Sequence, residues 1–563
     1  MRGTKHFLSR LTIARFYAVR AAFSGLALCA GAGFSPSLAA SKDGDALIAD
    51  GAMQVETAMV LPRINLPTDP YGITLPLPLS PSLATILRTE IAAMRDHRQR
   101  VARAGSPLDG PILAETLLDA RTHATPQQLA GFLKNYPEDP AAPRIYAALL
   151  RGLPWNAPLP SGPPSLRLNP PGAGDLAEDT VGCEKARTAL TAGHDHLARE
   201  IAREGFLNSH RTDGACAYIA GLSAYKLGLS SARWFEAASL APNAGTGLQA
   251  AGAFWAARAH QHAGEVQLAH QWAERAASFP HSLHGRLTLV LLDRHDPARD
   301  RGLILAGVSG RDHATLGEAE LALIGETPAG ERLFAALQIN ERHWAEEAAR
   351  QIWQESAATP QLRRAILLLS SALRFDGMVA DARASLLPGD LPSAPLRPRG
   401  GFKLQPALVY AVARVESNFD PKAQSGAGAS GLMQLRAEAA GLTDLKPASV
   451  AHLLQNPARN LDLGQRYLAR LSERDMAGDD LLLVLASYNS GQGRVASWKI
   501  DPASDPMMFL ETIPTNETRH FVQRILSHCW AYAARFSLPA PGLTQLAAGA
   551  WPKFSQTAML TRQ

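Results

Sequence analysis

A chain of 563 residues is too long for a single hydrophobic core and implies two or three units. Hydrophobic residues make up 46%, charged residues 19% and aromatics 6%, a globular composition with few β-branched runs, which favours helix over sheet. The formal net charge of +5 belongs to the first 40 residues: without their five basic side chains, 51 basic residues balance 51 acidic ones, so the charge does not signal nucleic-acid binding.

The chain opens with Arg2, Lys5, Arg10, Arg15 and Arg20 and no acidic residue, continues through an apolar stretch from Ala21 to Phe34, and reaches Ser37-Leu38-Ala39-Ala40. This is the order of a secretory signal peptide over residues 1–40. The apolar stretch is too short and too rich in glycine for a comfortable membrane span, although a retained anchor is the alternative reading. Four cysteines exclude a disulfide-built scaffold. Cys29 lies in the leader behind Leu28, which does not suit a lipid anchor. Cys183 and Cys216 are near enough in sequence to bridge neighbouring helices in an oxidising compartment, and Cys529 reads as a buried, apolar-like residue.

Residues 41–174 are expected to be a proline-rich segment with short helices, since prolines cluster from Pro62 to Pro81 and again from Pro154 to Pro171. From 175 to 387 helix follows helix, with apolar residues three and four apart and turns at Gly or Pro. Two stretches look like degenerate copies: Tyr218 to Pro242 carries Gly228, Trp234 and Phe235, and Ala256 to Pro280 carries Gly264, Trp272 and Phe279. Their tryptophans and prolines recur 38 residues apart, near the period of two-helix repeats, and a weaker third candidate runs from Leu333 to Trp353. Each pair would leave one apolar face open, so stacking predicts an α-superhelix with these aromatics as packing. In His194-Asp195-His196 residues two apart do not share a helix face, so the triplet reads as solvated surface rather than a metal site.

Pro388, Pro392, Pro395 and Pro398 lead to Gly400-Gly401 and mark a linker, 388–401. A compact helical domain is expected over 402–540, with a C-terminal tail, 541–563. Pro406 suits a first helical turn, Leu408, Val409, Val412, Val415 and Phe419 form one apolar face, and Pro421 stops the helix. Further helices are expected near 460–471, 480–488 and 518–535. No alternating strand pattern is present, although the glycine loop leaves room for a small hairpin.

Glu416 falls in the last turn of the first of these helices, where the negative end of the macrodipole and its apolar neighbours both disfavour a carboxylate. Such a group can deliver a proton to a glycosidic oxygen. For a glutamate taken alone, the blander reading is a solvated helix end. Asp420, four residues on, either serves as a second carboxylate or, as we favour, caps the next turn. Gly426, Gly428 and Gly431 allow backbone to approach a sugar ring, and the absence of a following Lys-Ser/Thr excludes a phosphate loop. Tyr488-Asn489-Ser490-Gly491 also reads as a helix C-terminus closed by glycine.

Four motifs stand in order: Val415-Glu416-Ser417; Gly428-Ala429-Ser430-Gly431-Leu432-Met433-Gln434; Ser487-Tyr488-Asn489-Ser490-Gly491; and Glu511-Thr512-Ile513-Pro514 with Glu517-Thr518-Arg519. Together they resemble the soluble lytic transglycosylase family, closely over about 402–536 and more loosely before it, as at Ala253-Phe254-Trp255-Ala256-Ala257-Arg258. The resemblance implies an all-α protein, a TPR-like superhelix followed by a lysozyme-like domain, secreted to the periplasm and acting on peptidoglycan glycan strands without a cofactor or metal. It further implies a one-carboxylate mechanism, in which Glu416 protonates the oxygen between N-acetylmuramic acid and N-acetylglucosamine and then, as base, helps the muramoyl 6-hydroxyl form a 1,6-anhydro end. Ser417, Ser430, Gly431, Met433, Gln434, Tyr488, Asn489 and Glu511 match substrate-groove positions, the Gln434 amide being suited to hydroxyl or acetamido groups and the Tyr488 hydroxyl approaching Glu416. The chain departs from the family at Arg436-Ala437, at Phe521 in place of a tyrosine, and at Ser487 and Ser490 in place of alanines. A water-using muramidase and an inactive helical scaffold are the alternative functions.

Overall fold

The computed structural model describes residues 75–96, 105–167, 183–292, 316–379, 396–473, 478–500 and 504–558, apart from a few positions within these ranges. The leader, most of the first proline cluster and residues 388–395 of the linker lie outside the described residues. Those described are α-helical, with one short 3-10 turn at Pro164–Arg167 and three isolated β-bridges in place of strands.

Helix starts follow from local chemistry. Ser80, Thr125, Thr327, Asn456 and Asp505 each accept a backbone N–H from the first turn of the helix they precede, and a proline follows each of them. A proline there loses no hydrogen bond and arrives with its φ already helical. Part of the proline density that reads as linker is thus helix initiation: Pro81, in the first cluster, begins α1 (Pro81–Arg95). Three helices follow before the superhelix: α2 (Asp109–Leu118), α3 (Pro126–Asn135) and α4 (Ala142–Gly152).

Seven helices then pack in sequence, each on the next: α5 (Glu184–Thr191), α6 (Asp195–Asn208), α7 (Gly214–Lys226), α8 (Ala232–Ser239), α9 (Thr246–Ala263), α10 (Val266–Ala277) and α11 (Leu283–Leu291). This is the superhelix of stacked pairs. Trp234, Phe235, Trp272 and Phe279 are all buried between helices, as inter-helix packing requires. A Cys183–Cys216 disulfide ties the start of α5 to the first turn of α7, and Cys529 is buried.

Helices α12 (Glu318–Gly325), α13 (Pro328–Gln338), α14 (Arg342–Glu355) and α15 (Pro360–Ala372) come next, and the N-terminal segment returns to them. The Gln338 side chain pairs with both backbone groups of Leu79, at 2.9 and 2.7 Å, and Arg95 reaches Glu341 at 2.9 Å. Leu87, Ile91, Leu333, Phe334 and Trp344 form a shared core beneath these contacts.

The described residues of the C-terminal unit form the helices α16 (Pro406–Ser417), α17 (Ala437–Ala440), α18 (Pro447–Leu454), α19 (Pro457–Ser472), α20 (Leu481–Ser490), α21 (Gln492–Ala496), α22 (Pro506–Thr512), α23 (Asn516–Arg535), α24 (Pro541–Ala547) and α25 (Phe554–Ala558). Leu408, Val409 and Val412 are buried, whereas Val415 and Phe419 are half-buried at the rim. Over its described part, 541–558 differs from the expected tail. Leu543, Leu546 and Phe554 are buried, α24 packs on α11 of the superhelix, and the Leu481 N–H donates to Pro552 O. One continuous hydrophobic core runs through the superhelix and the C-terminal unit. Among the described residues no helix is long and apolar enough to cross a membrane.

Candidate active site

Glu416 stands one residue before the end of α16. Asn418 and Phe419 follow with φ of 51° and 63°, two left-handed residues that turn the chain back before Pro421. The Asp420 carboxylate accepts the Lys422 N–H at 2.8 Å and is exposed, so it caps that turn. Burial, reinforced by the neighbouring Glu517 carboxylate, pushes the Glu416 carboxyl up to about 8. Among the described residues no hydrogen bond reaches that carboxyl, so near neutrality it is mostly an acid with its proton free to give.

The loop facing it is held almost entirely by its backbone. Gly431 has φ of 81°, and a Cβ there would lie 2.0 Å from Leu454 O and 2.3 Å from the Asn460 amide, so only glycine fits. Ser430 exchanges both backbone hydrogen bonds with Leu435, at 3.0 and 3.2 Å, and a bridge to Gln424 completes a minimal hairpin. Three successive carbonyls of the loop then receive side chains. Gln434 Nε2 donates to Gly431 O at 2.9 Å, the Ser417 hydroxyl to Leu432 O at 2.8 Å, and the Tyr488 hydroxyl to Met433 O at 2.7 Å. Asn460, fully buried on α19, donates to Ser430 O and Leu454 O and accepts the Met433 N–H, closing the circuit.

This geometry divides the expected groove residues. Glu416, Ser417, Ser430, Gly431, Gln434 and Tyr488 are brought together, and Tyr488 is near enough to Glu416 to feel its charge. Burial, then Glu416, then Tyr467 raise the Tyr488 phenol well above its ordinary value, so it stays a neutral donor. Met433 does not line a groove: its side chain is fully buried against Gly464, where a Cβ would meet the Met433 sulfur at 2.2 Å. The Gln434 amide nitrogen does not face a sugar either, because Gly431 O and Ala423 O occupy it, at 2.9 and 3.0 Å. Asn489 accepts the Thr518 hydroxyl at 2.6 Å and joins α20 to α23. Glu511 is the largest correction. It is 3% exposed, and its carboxylate lies 2.9 Å from His284 of the superhelix, so it is an internal contact rather than a groove position.

Sequence reasoning missed Asn460 and Glu517 as site residues. Asn460 is a lone amide at the head of an amphipathic helix, a pattern no different from a surface residue. Glu517 stands in the Glu-Thr-Arg motif, but only the fold aims its charge at Glu416. Phe521 stacks nearly parallel on Tyr488, with centroids 6.2 Å apart, and packs there without a hydroxyl. A cavity of about 850 Å³ lies elsewhere, between α1, α2 and α14, and contains none of the motif residues.

Residues 398–505 match the family model for the transglycosylase SLT domain, a match that ends at the N-cap of α22. The soluble lytic murein transglycosylase of Escherichia coli K12 is 34% identical over 134 residues, which are 23% of this chain and 20% of that protein. A putative soluble lytic murein transglycosylase of Haemophilus influenzae is 36% identical over 137 residues, 23% of each chain. The matched stretch therefore spans about a fifth of the length of these relatives. Among solved structures, an inactive mutant of the lytic transglycosylase Slt from Pseudomonas aeruginosa aligns over 81% of this chain and 67% of its own, at 19% identity and a TM-score of 0.38. The stretch that carries Glu416 is thus similar to the SLT domain of soluble lytic murein transglycosylases.

Proposed function

We propose that the chain is a periplasmic lytic transglycosylase that cleaves the β-1,4 bond between N-acetylmuramic acid and N-acetylglucosamine in peptidoglycan. The observation that carries this reading is the Glu416 carboxyl, held protonated near neutral pH by burial and by Glu517, beside a loop fixed through its backbone. The relatives' names, soluble lytic murein transglycosylases, support the substrate class. The Cys183–Cys216 disulfide suits an oxidising compartment such as the periplasm.

The Glu416 proton passes to the glycosidic oxygen as the bond to the muramoyl C1 breaks, which leaves a Glu416 carboxylate and an electron-poor C1. The muramoyl 6-hydroxyl oxygen attacks C1, and its proton goes to Glu416. The acid is regenerated, a 1,6-anhydro ring is formed, and no water is consumed. Glu517 favours the return step, because a second carboxylate beside Glu416 raises its affinity for a proton. Asp420, which a water-using mechanism could recruit, is exposed and bonded to its own turn. Glu416→Gln keeps the size of the side chain and removes the acid, so glycan release from purified sacculi should fall by roughly 10²–10⁴-fold. Release at the wild-type rate from Glu416→Gln contradicts the assignment.

A further inference from the structure

Helix α22 belongs to the C-terminal unit, yet superhelix residues hold both its ends. At its start, Asp505 accepts the Met507 N–H through one carboxylate oxygen and meets Arg258 of α9 through the other, at 2.6 Å. At its far end, the Glu511 carboxylate lies 2.9 Å from His284 Nε2 on α11, and the Glu511 carbonyl accepts from Arg187 of α5 at 3.2 Å. One buried ring links the two anchors: Phe254 of α9 lies under the Arg258 guanidinium and 5.3 Å from the His284 ring.

What α22 leads to gives these anchors a use. Ile513-Pro514 connect it to α23, whose first turn carries Glu517, the charge acting on Glu416, and Thr518, which bonds Asn489 next to Tyr488. Arg519, also in that turn, donates to Ile513 O and to Asn516, so the α22–α23 corner is one rigid piece. We infer that Arg258 and His284 of the superhelix are positioning residues for the reaction, clamping α22 so that the corner holds Glu517 and Tyr488 in their places around Glu416. This inference rests on the function proposed above and extends it: the superhelix takes part in setting the reactivity of the acid.

The groups around both ends of the linkage are few. Glu511 is faced by His284 from α11, Arg187 from α5, Tyr218 from α7, and Arg519 and Gln523 from α23, while Glu184 of α5 acts on Arg187 and Arg519. Burial alone would raise its carboxyl, but the hydrogen bond and charge of His284, with Arg187 and Arg519, outweigh burial and hold it below its ordinary value, so the clamp keeps a carboxylate. Glu416 is faced by Glu517 and Tyr488.

The test uses full-length Arg258→Ala and His284→Ala, with His284→Gln, whose amide can donate in place of Nε2, as the rescue. His260→Ala is the control, because His260 is a buried superhelix residue whose hydrogen bonds go to Glu236 and Glu265 rather than to α22. Activity on sacculi across pH and the titration of a ¹³C-labelled Glu416 carboxyl are both read. For the two clamp variants kcat should fall roughly 10- to 100-fold with a smaller change in KM. Glu517 also moves away, so the alkaline limb and the Glu416 titration should shift to lower pH by about half a pH unit or more. His284→Gln should restore both, and His260→Ala should lower the melting temperature without moving either. Unchanged kcat and titration in both clamp variants, or an equal shift in His260→Ala, overturns the inference. If the wild-type chain releases no glycan, the proposed function is what fails, and the Glu416 titration in Arg258→Ala still decides the clamp.

Discussion

At the scale of single residues, the proposed chemistry reduces to two carboxyl groups with different roles. Glu416 is half-buried with a pKa of about 8, while Glu517 is exposed and acts on it through charge. In the proposed mechanism Glu416 must be protonated to act, so kcat/KM should hold below that pKa and fall as pH rises through it. In Glu517→Gln the raising charge is gone, and the descending limb should move to lower pH. A pH–rate profile that superimposes on the wild type contradicts the electrostatic role of Glu517. Asn460 carries a different load: it makes three hydrogen bonds to backbone, all in the interior. Asn460→Ala leaves those backbone groups unpaired, and chemical denaturation should show a loss of about 2–4 kcal/mol together with loss of activity. A motif such as Gly431-Leu432-Met433-Gln434 shows which residues recur together but not which way each points. Glu416 was legible because its helix end and its neighbours set its environment locally. Met433, Gln434 and Glu511 were misread because their directions are set by Gly464, Ala423 and His284, from 11 to 227 residues away.

At the scale of elements, the helices were legible where caps, prolines and apolar spacing agreed, as in α16 and α19. What escaped was the part played by short segments. The described end of the chain reads as a tail because α24 and α25 are each too short to show a helical period, yet Leu543, Leu546 and Phe554 help to build the core. The proximity of Cys183 and Cys216 was readable, and the structure joins them across α5 and α7. These are the helices that bring Arg187 and Tyr218 to Glu511. At a sequence separation of 33, loop-closure entropy gives the bond about 3–4 kcal/mol. Cys183→Ser with Cys216→Ser should therefore unfold at lower denaturant than the oxidised parent, and an unchanged midpoint contradicts a stabilising role.

At the scale of the whole molecule, the all-α class and the order of superhelix and C-terminal unit followed from periodicity, repeats and resemblance. The long-range closures did not. The meeting of Leu79 with Gln338 and of Arg258 with Asp505 depends on how successive helix pairs curve, and small angles summed over many pairs leave no mark in local sequence. These closures give the molecule its functional logic, since a single core and one clamped helix connect the superhelix to the acid. The account stands most directly on the mass of the products released from sacculi by the purified full chain. Fragments ending in 1,6-anhydro-N-acetylmuramic acid, lighter by one water than reducing ends, are the expected result; reducing ends alone would contradict it.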